Sequence, residues 1–206
     1  MIDLHAWATP NGFKVAILLE ELGLSYRYHP VDITRGEQDA PSFRAISPSG
    51  KIPVIVERAS GLCLMESGAI TLHLAEREGH LIPKDAARRL DALQWMMWQI
   101  GNFGPILGHA HHFLTYHPGT APAAEARFAD ETRRLYAALE ARLAGRRFIA
   151  DEHSIADIAI WPWVFRHERH KIALSDYPAV RRWFELLQDR PGYIKGLEAV
   201  QPARTA

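Results

Sequence analysis

Cysteine is nearly absent: Cys63 is the only one in 206 residues. A single thiol closes no intramolecular disulfide, which excludes the disulfide-stapled secreted scaffolds and suits a reducing compartment. Net charge is lacking too. Lysine plus arginine number 24, and so do aspartate plus glutamate. No overall field therefore draws the chain to nucleic acid or to an anionic membrane. No apolar run approaches the ~20 residues of a membrane-spanning helix. The N-terminus has neither a basic flank nor a long apolar core, so no signal peptide is expected and the expected location is cytoplasmic. There are no internal repeats and no low-complexity segments. Histidine is plentiful, at 11. Yet His109, His111 and His112 stand without a cysteine or carboxylate at ligand spacing, and no metal is expected.

What is present is an ordered globular composition, 48% hydrophobic and 23% charged. The most informative stretch runs from Ser47 to Ile70. Two apolar, β-branched-rich runs, Val54–Glu57 and Leu62–Met65, flank Arg58-Ala59-Ser60-Gly61 and read as a β-hairpin. Pro53 precedes the first run, where a strand tolerates proline. A cis Ile52–Pro53 bond there would turn the Ile52 backbone toward an extended ligand. After Glu66 a helical pattern begins at once, so Ser67 falls at a helix start with spare N–H groups. That is a seat for a carboxylate. It is equally an ordinary helix cap.

The order of elements gives the fold class. Ile2–Trp7 reads as a strand, Phe13–Leu22 as a helix ended by Gly23, and Tyr26–Val31 as a second strand. A loop over Gly36–Pro41, a helical turn, the hairpin and a helix over Ser67–Glu78 follow. The first two strands and their crossover helix form a βαβ unit and should be parallel. The hairpin makes the sheet mixed. Residues 1–78 are expected to form this α/β domain and 79–85 the linker. Residues 86–206 should be all-helical, opened by a long aromatic-rich helix that Gly104-Pro105 kinks. Ser154-Ile155-Ala156-Asp157 is a capping-box-like start to the most apolar helix, and its polar residues are read as structural.

Three motifs, in this order and spacing, carry a resemblance: Ser49-Gly50-Lys51-Ile52-Pro53-Val54, Glu66-Ser67-Gly68-Ala69-Ile70, and Ser154-Ile155-Ala156-Asp157-Ile158-Ala159. With them the chain resembles the glutathione transferases over nearly its whole length. Thr9-Pro10-Asn11-Gly12-Phe13-Lys14-Val15, Gln94–Gln99 and His111-His112-Phe113 are similar to the bacterial nu-class, disulfide-bond reductase type. The resemblance implies a thioredoxin-like N-terminal domain with a mixed four-stranded sheet, an all-helical C-terminal bundle, and glutathione as co-substrate. It implies that Glu66 and Ser67 hold the γ-glutamyl end and that the Ile52 backbone, before Pro53, pairs with the cysteinyl unit. Gln38 and Lys51 would approach the ligand's polar groups. Arg127 would reach the site from the other subunit of a homodimer. Thr9 and Asn11 would sit beside the sulfur as the catalytic groups.

Conjugating transferases of the best-known kinds place a tyrosine, serine or cysteine near the end of the first strand. Here that turn offers Thr9 and Asn11. The implied chemistry is thiol–disulfide exchange with bound glutathione as the nucleophile, its thiol acidified at a helix N-terminus. Conventional conjugation of a small electrophile and non-catalytic glutathione binding are the alternatives. Cys63 reads as an inert residue of the last strand, packed into the sheet or core.

Overall fold

The computed structural model describes residues 1–201. They gather into two compact units, residues 1–80 with those from Asp189 onward, and residues 81–188. The strands are β1 (Ile2–Ala6), β2 (Tyr26–Pro30), β3 (Val54–Glu57) and β4 (Cys63–Met65). The helices are α1 (Pro10–Glu21), the short α2 (Pro41–Arg44), α3 (Ser67–Glu78), α4 (Ala86–Trp98), α5 (Gly104–His111), α6 (Pro122–Leu143), α7 (Ile155–Val164), α8 (Pro178–Gln188) and α9 (Pro191–Ala199).

In the first unit the strand order is β2-β1-β3-β4. β1 is parallel to β2 and antiparallel to β3, and β3 is antiparallel to β4. This is the mixed sheet that a βαβ unit followed by a hairpin must produce. β1 alternates, burying Ile2, Leu4 and Ala6 on one face. α1 has no solvent face through its centre: every residue from Phe13 to Leu19 is buried. It packs against α3 and α9. Two glycines allow close approaches. A Cβ at Gly12 would lie 2.0 Å from the Trp7 carbonyl oxygen, so only glycine lets α1 start tight against the end of β1. A Cβ at Gly196 would lie 2.6 Å from the Ile17 backbone, so glycine lets α9 lie directly on α1. Arg190, at the start of α9, pairs with Glu21 at 2.5 Å.

These contacts explain a departure from the expected 86–206 helical domain. α9 groups with the first unit, because it covers α1 rather than extending the helical bundle. At β4, Cys63 lies in the last strand as expected, but it is exposed rather than packed. β4 is an edge strand, with Cys63 and Met65 on its exposed face and only Leu64 turned inward. The Cys63 thiol donates to the Ile46 carbonyl at 3.4 Å.

The second unit is helical throughout apart from one isolated bridge between Ala150 and Glu152. The long first helix changes register at Gln99–Phe103, a π-helical turn directly before Gly104-Pro105. Pro105 has no N–H to give the ladder, and a widened turn accommodates that loss. α7 is buried along all ten residues. Its capping box is closed: Ser154 caps the N-terminus and Asp157 reaches back to the Ser154 N–H at 3.0 Å. Asp157 also accepts from Ile149 N–H at 3.1 Å and from the Trp183 indole at 2.7 Å. Burial nevertheless raises its carboxyl to about 6. This aspartate organises the bundle. The three clustered histidines diverge, His109 stacking on Phe128, His111 on His170, and His112 tilting against His117.

Candidate functional site

The site forms where the N-termini of α1 and α3 meet. Thr9 caps α1, its hydroxyl oxygen accepting from Gly12 N–H at 3.2 Å. The hydroxyl proton remains available to a ligand. Asn11 occupies the first turn, and Ser67 is the first residue of α3. The Ser67 hydroxyl lies 3.5 Å from Asn11 Oδ1. Its carbonyl is fixed by the Thr71 hydroxyl at 2.7 Å. Neither helix carries an acidic residue in its first turn. Two positive helix ends therefore meet at one place, which favours an anion there.

Beneath them lies Lys14, which the sequence reading passed over. Its side chain is buried at 1% exposure. Its ammonium donates to Ser67 Oγ at 2.8 Å and to Asn11 Oδ1 at 3.2 Å. Burial pulls the ammonium down to about 7, while the nearby Glu66 carboxylate pulls the other way. The signal was available: Lys14 is the one charged residue between Phe13 and Leu19. It also stands three positions after Asn11, hence on the same helix face.

Glu66 precedes α3 with φ 70 and ψ 112. A non-glycine residue there costs roughly 1–3 kcal/mol, and such strain concentrates at functional sites. Its side chain is exposed. Ile52 is half-buried and packs on the Val31, Phe43 and Val54 cluster. The Ile52–Pro53 bond is cis, and Pro53 is buried. Lys51 is exposed, its backbone pinned on both sides by Ser47, which accepts from Lys51 N–H at 3.1 Å and donates to Lys51 O at 2.8 Å. Gln38 donates to Asp39 at 3.3 Å, while its Oε1 is buried without a hydrogen-bond partner among the described residues. Arg44 ties this turn to the Lys51 loop, donating to Asp39 Oδ1 at 2.6 Å and to Pro48 O at 3.1 Å. Arg127 lies exposed on α6, in the other unit. The structure thus brings Asn11 and Ser67 into contact at the helix start that Thr9 caps, sets Glu66 next to Ser67, and places Gln38 and Lys51 on a linked pair of loops.

A four-stranded mixed sheet carrying an anion seat at two helix starts, followed by a helical unit, is the arrangement of a glutathione transferase. Residues 2–76 match the glutathione S-transferase N-terminal domain and residues 105–191 the C-terminal domain. The chain belongs to this family. It is 46% identical to the disulfide-bond oxidoreductase YfcG of Escherichia coli, over 93% of this chain and 92% of that one. A glutathione transferase of Pseudomonas putida, solved with one glutathione disulfide bound per subunit, has a TM-score of 0.90 and 38% identity, covering 96% of this chain and 90% of its own. Another, from Burkholderia graminis with two glutathione molecules bound per subunit, has a TM-score of 0.90 and 39% identity, covering 98% and 89%.

The buried lysine has a consequence for stability. Its ammonium titrates near 7 in the folded protein and near ~10.4 when unfolded. Between those values the unfolded chain binds more protons, so stability rises with pH, by roughly 1.4 kcal/mol per unit at most. Urea unfolding of the wild type and of Lys14→Met from pH 7 to 10 should show the wild type gaining stability relative to the variant as pH rises. Parallel profiles would show that the ammonium keeps its ordinary protonation.

Proposed function

We propose that this protein is a glutathione-dependent disulfide-bond reductase, with bound glutathione as the attacking thiol. The observation that carries the reading is the Thr9–Asn11–Ser67 constellation over Lys14, a cationic seat for a ligand bearing both a carboxylate and a thiolate. The γ-glutamyl carboxylate fits at Ser67 and the N–H groups of α3, with Glu66 toward the ammonium. The Ile52 side chain is anchored in the core, so its backbone is what it offers the cysteinyl unit. Gln38 and Lys51 suit the ligand's remaining polar groups, Lys51 the glycyl carboxylate. Arg127 would enter from a partner subunit.

The sulfur then lies at the start of α1. A free thiol of pKa ~8.5 is only a few per cent ionised at neutral pH. The helix N-terminus, the Thr9 hydroxyl and the Asn11 amide stabilise the thiolate and lower that pKa. The thiolate attacks one sulfur of the substrate disulfide, forming a glutathione mixed disulfide and expelling a thiolate that takes up a proton. A second glutathione attacks the mixed disulfide, releasing the other thiol and glutathione disulfide. The Pseudomonas relative's bound glutathione disulfide and the Burkholderia relative's two bound glutathiones support this stoichiometry. No protein thiol takes part. Cys63 sits on the edge strand, bonded to Ile46 O, and the partial loss of water around its sulfur pushes its pKa up rather than down. Among the described residues no helix is long and apolar enough to cross a membrane, and a cytoplasmic location is part of the proposal.

Steady-state rates at fixed glutathione, with 2-hydroxyethyl disulfide and with 1-chloro-2,4-dinitrobenzene, test the reading. The disulfide should turn over well in both wild type and Cys63→Ser, and the aryl halide poorly. A strong preference for the aryl halide would make the protein a conjugating transferase. No turnover of either would make it a binding module. Loss of disulfide turnover in Cys63→Ser with normal glutathione binding would make the protein thiol the catalyst.

A homodimer belongs to the same proposal. Leu90 and Met97 are seven residues apart on α4, hence on one helix face, and are 66% and 53% exposed. Arg127 contributes to the site only from a partner. Sedimentation at micromolar concentration should give a species of twice 23.3 kDa; a fully active monomer would contradict it.

A further inference from the structure

Lys14 has no part in the ligand contacts above, yet it touches two of the residues that make them. An ammonium has three donors and no acceptor. Whatever faces it must therefore present an oxygen. The Asn11 amide meets it with Oδ1, at 3.2 Å, and so must turn its N–H₂ away from Lys14. Ser67 meets it with Oγ as acceptor, at 2.8 Å, and so keeps its proton for another partner. In the free protein that proton lies toward Asn11 Oδ1 at 3.5 Å, a long contact that a stronger acceptor displaces readily.

We propose that Lys14 is the positioning residue of the glutathione site, fixing from beneath the direction in which Asn11 and Ser67 present their hydrogen-bond donors. The inference rests on the glutathione-binding reading above and deepens it. With Lys14 in place, the Asn11 amide hydrogens and the Ser67 hydroxyl hydrogen both face the ligand, one for the thiolate and one for the carboxylate. Without it, the amide is free to flip its oxygen toward the sulfur, where two negative ends oppose each other. The Ser67 hydroxyl is then free to turn its hydrogen inward. Lys14 also couples the two halves of the ligand seat, because one cation holds a residue of α1 and a residue of α3. The Glu66 carboxylate lies near enough to act on the same cation.

The burial of Lys14 makes the test clean. Lys14 is buried and its partners are the neutral Asn11 and Ser67, so an apolar side chain of similar volume removes a desolvated charge without leaving a buried counter-charge behind. Lys14→Met should therefore fold with a melting temperature no lower than wild type at neutral pH. Its glutathione affinity, by calorimetry, should fall ten- to a hundredfold, the loss expected when a charge-assisted hydrogen bond goes. Thiolate absorbance against pH for its glutathione complex should show the bound thiol's pKa raised toward that of free glutathione. Lys14→Gln, which keeps an N–H donor of nearly the same reach, should recover part of both. It also serves as the test should the methionine variant not fold. A merely structural lysine would leave the bound thiol's pKa where it is. Wild-type protein that binds glutathione with a lowered thiol pKa, matched in affinity and pKa by folded Lys14→Met, would overturn the inference alone. Wild-type protein that binds no glutathione would overturn the functional reading and the inference together.

Discussion

The contact on which the site depends is a buried ammonium shared by two helix starts. Lys14 and Ser67 are 53 residues apart, and their 2.8 Å hydrogen bond fastens α1 to α3. Burying a lysine is costly, and the same loss of water depresses its pKa. Such a group persists where polar partners and an anion compensate for the lost water. Asn11, Ser67 and the adjacent Glu66 supply part of that compensation in the free protein. An anionic ligand at the two helix ends would supply the rest.

Around this contact the sheet and the covering helix act as a mould. Gly12 lets α1 begin against the Trp7 carbonyl, which sets Thr9 and Asn11 at the end of β1. The hairpin delivers Ser67 to the same place, through a Glu66 held at positive φ. α9 closes over α1 at Gly196, so the helix carrying the lysine is wrapped on every side. Removing the wrapping would hydrate Lys14 and loosen its hold on Asn11 and Ser67. The helical unit is organised independently, around Asp157 and its bonds to Ile149, Ser154 and Trp183.

Much of this was legible in the chain, for reasons that lie in local chemistry. The sheet topology follows from the βαβ order and the tight hairpin. The helix start at Ser67 and the capping box at Ser154 are local rules of N–H satisfaction, and local rules survive in any fold. What was not legible depended on contacts distant in sequence. A single lysine within an apolar helix reads as a solvated residue unless both neighbouring faces are known to be covered. Cys63 reads as packed into the sheet or core because its strand is apolar, yet β4 lies at the sheet's edge and turns that position outward. α9 reads as one more bundle helix, and only the match of Gly196 to the Ile17 backbone shows where it packs.

The central claim is that this scaffold seats glutathione across two helix N-termini, with the protein supplying donors rather than a nucleophile. The most direct test is a crystal structure of the glutathione complex. The account predicts the γ-glutamyl carboxylate within hydrogen-bonding distance of Ser67 Oγ, and the sulfur facing the Thr9 hydroxyl and the Asn11 amide nitrogen. A sulfur directed to Cys63, or a carboxylate bound away from the start of α3, would contradict it.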